Sequence, residues 1–555
     1  MKPFASARGE TGDISPSVNA AIKSLPQTGG TILFPAGLYQ IGGEGIIINR
    51  SDVTLIGEGA ETSILRRIGR PGPLLQTGPS GARRENLVVK DLCFDGNRPE
   101  IPGENTSSIT LSGSHLSKAN IAGCKFVNSP AVAIALNGID QVKIDRCLFR
   151  GPGDAFSTGV VLTRLCSNVS ISGSRFLYLH DGLIVDTGNE TNPTRYRPHH
   201  IKVTNNYFDL AWWLLKPTFV GDGQSVSYTA NSLTDRNASF KSLSLPGMHN
   251  VRVMPVKQAG RAQYEKTTLN DSSARFQSNG VRRGDIIRAQ NIFAVVAAAK
   301  SETSLEVEEW LSDEDRSPSS HPELETPYTV YGVVLGEVRN FTSDRLETAR
   351  WWDFDGRTVT PDRGTRYEVL GQRPNYALHA EAGARDMVVS HNSFRRGWSD
   401  QISIWGDRAN INNNHVEDGE DMGITLHGTR HRVAANEITH QGAGGIWLQT
   451  DDSTITDNRV SDSQWVNNFN DIWLGDIMVN DGDRNLVANN VCRRLTSALA
   501  HNGIVVAARK RSATGNIIRN NISDGHLKSD VRLESEPGFA VKKTVLEKNT
   551  GKIVR

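Results

Sequence analysis

Short stretches in which apolar and polar residues alternate recur along most of the chain, as in Val169-Ser170-Ile171 and Ile402-Ser403-Ile404. A period of two puts every second side chain on one face, so each stretch predicts a β-strand with one side buried. A phrase of the form Asn-x-apolar punctuates them: Asn206-Tyr207-Phe208, Asn392-Ser393-Phe394, Asn414-His415-Val416, Asn436-Glu437-Ile438, Asn458-Arg459-Val460, Asn489-Asn490-Val491 and Asn520-Asn521-Ile522. From Asn392 onward the spacings are 22, 22, 22, 31 and 31 residues, and upstream Cys124, Cys147 and Ser174 fill the same slot. A unit of 22 residues built from short strands and Gly-containing turns suits one coil of a parallel β-helix, whose coils stack about 4.8 Å apart over an inward apolar row. Small polar residues at one bend can bond to each other up the stack and satisfy turn amides, which explains Asn, Ser and Cys in one slot. Leucine-rich repeats have similar length but need several Leu at fixed positions, and that pattern is absent.

The N-terminal region departs from this rhythm. Ser15-Pro16 predicts the start of a short helix with Ser15 as N-cap, and Val18, Ala21, Ile22 and Leu25 give it one apolar stripe. Residues 29–41 then read as two strands around Pro35-Ala36-Gly37, able with the helix to cover the open end of the stack. The helix, the run Gly-Gly-Thr-Ile-Leu-Phe-Pro-Ala-Gly-Leu-Tyr and the coil Val53-Thr54-Leu55-Ile56-Gly57 resemble the N-terminal part of the pectate-lyase/polygalacturonase superfamily. That resemblance, extended over the coils, implies an all-β, right-handed parallel β-helix with an N-terminal capping helix and an activity on carbohydrate. Residues 436–446 are similar to the repeat phrase of β-helix glycoside hydrolases that carry an inserted β-domain.

Between Asn206 and Asn392 lie 186 residues where one coil would use 22 to 32. Within the excess, Arg283–Arg288, Phe293–Val296 and Ser304–Val307 are spaced like strands of a small antiparallel domain, and Ser312–Pro327 reads as a loop. The expected organisation is a cap and first coils over 1–221, a β-barrel-like insertion over 222–375, and further coils over 376–555.

Composition narrows the partners. Lys and Arg number 62 against 61 Asp and Glu, a balance that gives no basis for a nucleic-acid or anionic-membrane partner. No apolar run approaches the roughly 20 residues that span a bilayer; Ile292–Ala299 is far shorter. The start lacks the apolar core of a signal peptide, so the location is secreted or periplasmic if a leader was removed and otherwise cytoplasmic. Five Cys are too few for a disulfide framework, and Cys124 and Cys147 are expected to pack. Self-association into a homo-oligomer stays open.

A solenoid acts through its outer face. Aligning coils on Gly182, Gly423 and Gly445, with Gln401 in the equivalent place, gives the outward positions Ile184 and Asp186, Ser403 and Trp405, Thr425 and His427, and Trp447 and Gln449. Just before this column stand His180-Asp181, Asp400 and Glu420-Asp421, expected on three neighbouring coils. Two carboxylates about one coil apart are what acid/base chemistry on a sugar requires, one protonated toward the leaving oxygen and one ionised toward water or carbon. Asp400 and one of Asp421 and Glu420 are therefore the expected catalytic pair, with Asp421 favoured because it lies nearer the strand. Asp181, Asp186, His180, Trp405, His427, Trp447 and Gln449 are the expected substrate contacts; a ring on an outward strand position can stack on a sugar face. Seven Trp fall in the coils as expected from the spacing: Trp212, Trp213, Trp398, Trp405, Trp447, Trp465 and Trp473.

The leading expectation is a glycoside hydrolase acting on a polysaccharide or oligosaccharide without metal or cofactor. A polysaccharide lyase or uronate epimerase is the enzyme alternative; a lyase would add Ca²⁺ and needs a basic Arg beside the acids, which the aligned columns do not supply. A phage tailspike or adhesin that binds glycans is the alternative of another class. The polygalacturonase signatures Asn-Thr-Asp, Asp-Asp and Gly-His-Gly are not intact.

Overall fold

The structure, a computed structural model, describes residues 12–70, 72–77, 84–98, 107–151, 157–186, 197–243, 250–313, 318–354, 356–370, 375–465, 474–495 and 500–554. Two compact units make up the chain: Met1–Trp212 with Pro374–Arg555, and Trp213–Arg373.

The first unit is a parallel β-helix. A typical coil carries three strands, as in Val132–Asn137, Asp140–Asp145 and Leu148–Arg150, and each pairs in parallel with its counterpart one coil on. Alternation directs Ile134 and Leu136, then Val160 and Leu162, into a core closed to solvent. Phe94, Phe126, Phe149, Phe176, Phe208 and Phe394 form one stack inside it, with centroids 4.4 to 5.1 Å apart. Eight first strands matter below: β1 (Asp181–Asp186), β2 (Leu378–Arg385), β3 (Ile402–Asp407), β4 (Met422–Thr429), β5 (Gly444–Asp451), β6 (Ile477–Asn480), β7 (Asn502–Ala508) and β8 (Ser529–Ser535).

The Asn ladder lies at the bend before each third strand. The backbone N–H of each rung donates to the Oδ1 of the next, through Asn206, Asn392, Asn414, Asn436, Asn458, Asn490, Asn521 and Asn549, at 2.9 to 3.1 Å. The last coils correct the sequence register: the rungs are Asn490 and Asn521, whereas Asn489 and Asn520 take the left-handed turn before them, at φ 58° and 54°. Asn is among the few residues that adopt this conformation readily, so either of two consecutive Asn fits the phrase. A second ladder, at the bend after the first strands, runs from Ala409 N–H to His431 Nδ1, then through Ser453 Oγ, Asn485 Oδ1 and Asn516 Oδ1. All five Cys are buried and unbridged.

At the N-terminus the helix spans Ser15–Lys23, but Ile14 is its N-cap and makes no side-chain cap. Asp13 does that work instead, its Oδ1 accepting from the N–H groups of Ser15 (2.9 Å) and Gly42 (2.8 Å). The strands Gly30–Phe34 and Gly37–Ile41 do not form a hairpin; they belong to different faces, and each pairs with the next coil.

The second unit begins at Trp213, ahead of the expected residue 222, because Pro217–Gly221 pairs with Tyr367–Leu370 inside it. It holds a seven-stranded antiparallel sheet and an eight-stranded one whose two end strands, Val256–Arg261 and Gln263–Tyr264, are separated only by Ala262 and pair with opposite ends of the sheet, so that one bent stretch of chain closes it on itself. Arg252, closed to solvent, donates through Nε to Glu368 at 3.0 Å, and Arg288 and Arg366 share that carboxylate. No helix among the described residues is long and apolar enough to cross a membrane.

Candidate active site

Strand register decides which expected site residues meet. Ile402 pairs with Ile424, which sets Asp400 opposite Met422 and Asp421 one residue further back on the adjoining coil. β2 lies between β1 and β3 and pairs with both, so Asp181 is two coils from Asp400, not a neighbour as the Gly alignment implied. Tyr376 occupies the intervening place. Asp181 is buried: it accepts from His180 Nδ1 (2.6 Å), the backbone N–H of Tyr376 (3.1 Å) and Thr158 Oγ1 (3.4 Å). It thereby holds the backbone that carries Tyr376.

Asp400 and Asp421 both face a cavity of about 520 Å³, lined also by Tyr376, Ser399, Met422, Trp447, Leu474, Met478, Asn480, Arg509 and Glu536. Glu420 is buried and does not line it. Glu420 and Asp421 stand in the bend before β4, and of the two only Asp421 reaches the cavity. Both aspartates retain some open surface, yet protein crowds their carboxyls. Burial, reinforced by the charge of Asp421, pushes the Asp400 carboxyl well above the usual carboxylate range. Burial lifts Asp421 to about 6. The Met422 N–H and the hydroxyls of Ser403 and Thr425 face Asp400 and oppose its shift, although neither hydroxyl completes a hydrogen bond.

Other buried polar atoms around this face lack protein partners: Asn480 Oδ1, His379 Nδ1 and His427 Nε2. Such groups cost roughly 1–3 kcal/mol each when desolvated and unpaired, so water or a polar ligand is their expected complement. An aromatic row crosses the same face. Tyr376 stacks on His379 (4.3 Å, 19°), Trp405 leans on His427 (4.4 Å), and His427 meets Trp447 edge-on (5.3 Å, 87°). Burial, then the Lys510 charge, keeps His427 below the ordinary imidazole range, which favours the neutral ring. Trp405 is 45 % exposed.

Of the expected contacts, Trp447 lines the cavity, and Trp405, His427 and Gln449 stand beside it in register. His180 and Asp181 bond to each other and do not line the cavity. Asp186 stands opposite the start of the bulge of β2 at residues 381–383 and does not line the cavity. Trp213 is buried in the other unit, Trp465 is buried against His440, and Trp473 lies outside the described residues. Sequence reasoning missed Tyr376, Met478, Asn480, Arg509 and Glu536. Met478 and Asn480 continue the columns of Trp447 and Gln449, so extending the alignment by one coil finds them. Arg509 and Glu536 follow the ends of β7 and β8, where no column points to them. No group of three or more His, Cys, Asp or Glu among the described residues is arranged to hold a metal ion.

Residues 400–552 match the family model described as "Right handed beta helix region". No curated protein sequence matches the chain. Among solved structures, DFA-IIIase from Arthrobacter chlorophenolicus A6 is similar at 11 % identity and TM-score 0.44, with 93 % of each chain covered. The A-module of the Azotobacter vinelandii mannuronan C-5 epimerase AlgE4 is similar at 10 % identity and TM-score 0.38, covering 99 % of this chain and 98 % of that one. ORF18 of Geobacillus virus E2 is similar at 10 % identity and TM-score 0.38 over 90 % of this chain, which spans 57 % of that protein's length.

Proposed function

We propose that the protein is a glycoside hydrolase that cleaves a polysaccharide or oligosaccharide in the cavity of the β-helix face, with Asp400 and Asp421 as its catalytic pair. One observation carries the reading: two carboxylates on adjoining coils share one cavity, and both are pushed upward. Two coupled acids in that state hold one proton between them near neutral pH, which supplies a proton donor and an ionised partner at once. Asp400, the more strongly raised, donates to the leaving oxygen. Asp421 activates water or attacks the anomeric carbon. Trp447 and Tyr376 offer ring faces to the sugar, and Asn480 with the unpaired hydroxyls meets its hydroxyl groups.

Arg509 lines the same cavity and favours a second reading, a polysaccharide lyase or uronate epimerase, in which a basic group removes the proton beside a uronic carboxylate. A screen of diverse glycans with product analysis separates the two. New reducing ends that vanish in Asp400→Asn support hydrolysis; an unsaturated, ultraviolet-absorbing product or a changed C-5 configuration supports the second reading. Tight glycan binding without any turnover would leave an adhesin or tailspike.

A further inference from the structure

The Gly column beside the cavity ends in residues that the proposed chemistry does not use. Register sets Asp476, Gly503 and Asp530 side by side on three successive coils, each one residue ahead of the paired Ile477, Ile504 and Val531. His526, in the turn before β8, lays its ring across Gly503. Its Nε2 meets Asp476 Oδ2 at 3.0 Å and its Nδ1 meets Asp530 Oδ1 at 2.9 Å, with the side chain closed to solvent. A Cβ on Gly503 would stand 2.0 Å from Ser523 Oγ and 3.0 Å from His526 Cε1, so glycine keeps the gap that the ring fills.

A neutral imidazole has one N–H and one lone pair, so it can satisfy only one of two facing carboxylates. With an oxygen at each nitrogen, the trio must hold one proton more than a neutral ring and two carboxylates. We propose that Asp476, His526 and Asp530 form a proton-held clasp that ties β6, whose Met478 and Asn480 line the cavity, to β8 across β7, and that opens when the shared proton leaves at alkaline pH.

The surroundings favour retention of that proton. Gln464 Nε2 donates to Asp476 Oδ1 (3.2 Å), the backbone N–H of Lys552 donates to Asp530 Oδ2 (2.6 Å), and Ser523 Oγ lies 3.4 Å from Nδ1. The other titratable groups that act on the trio are Asp462, which further discourages ionisation of Asp476, and Cys492, whose thiol burial and the two carboxylates keep neutral. Burial lowers the imidazole, but Asp476 and Asp530 outweigh it and its value is raised; burial raises Asp476. Both shifts have the same sign. The folded chain keeps a proton that the unfolded chain releases, so the stabilisation is whole below the ordinary imidazole value of 6.5 and fades as pH rises through the folded value.

The test follows the His526 ring by NMR through a pH titration of the whole protein, and compares thermal unfolding of wild type and His526→Gln at pH 6 and pH 9. The expected results are a ring that titrates about one unit or more above its free value and a Tm gap that is widest at pH 6 and shrinks by half or more at pH 9. A ring titrating at or below 6.5, or a gap unchanged with pH, overturns the clasp. Should His526→Gln fail to fold, the wild-type titration decides alone, with Asp530→Asn identifying the resonance by its displacement.

Discussion

The Asn ladder and the cavity are built by the same coils and treat buried polar groups in opposite ways. At the bend before the third strands, the ladder amides from Asn206 to Asn521 each find partners: the backbone N–H and Nδ2 of Asn414, for example, both reach Asn436 Oδ1, and Nδ2 also reaches Val389 O. On the face of the first strands, Ser403, Thr425, His427 and Asn480 keep polar atoms unpaired, and two carboxyls crowd one space. A solenoid can satisfy its polar groups by repetition alone, and on this face repetition leaves some of them unsatisfied, which is what the proposed sugar site requires.

The sharpest way to break this contrast is at the acids. Asp400→Asn and Asp421→Asn keep shape but remove the transferable proton or charge, so each is expected to cut turnover by about 10²–10⁴ with the fold retained by circular dichroism. Glu420→Gln is expected to be mild, since Glu420 does not line the cavity. Equal damage from Glu420→Gln and Asp421→Asn would dissolve the assignment.

Rate against pH sharpens the pairing. Turnover should fall on the acid side near pH 6, as Asp421 takes up a proton, and on the alkaline side as Asp400 loses its own. A plateau across both limbs would mean that the two do not share the chemistry. For the ladder, Asn414→Ala and Asn436→Ala should each cost about 1–3 kcal/mol in urea unfolding, because a buried N–H is left unpaired, with no change in the pH profile. The smallest effect has the opposite sign: Asp400→Asn should raise Tm slightly at pH 7. Its raised folded value means that ionisation opposes folding from the ordinary carboxylate value of 3.8 upward, and the amide removes that opposition.

How far the sequence predicts this molecule depends on whether a feature repeats. The coils, the core alternation and the Asn slot recur often enough to be read directly, and the register error at Asn489 and Asn520 arose where two Asn stand together. Asp400, Asp421 and Trp447 were found because they fall in aligned columns. Tyr376 was not, because β2 follows the insertion with no Gly to mark its coil, and the same gap made Asp181 look like a neighbour of Asp400. Arg509 was missed because it sits in the turn after β7, where coil length varies. The trio of Asp476, His526 and Asp530 joins coils by a side chain that enters from a turn, which no single-coil pattern encodes.

The bond from Asn206 to Asn392 carries a consequence for how such a chain can change. Tyr207, Phe208 and Asp209 pair in register with Ser393, Phe394 and Arg395 as though the residues between had never been inserted. The solenoid closes over the gap with its own rung, its own ring stack and its own strand pairing, and asks of the intervening segment only that its two ends lie close together. Any folded module with neighbouring termini meets that demand, and loop-closure entropy rises slowly with length. The junction is thus a socket: a site where a lineage, or a protein engineer, can exchange one accessory domain for another while the coils keep their register.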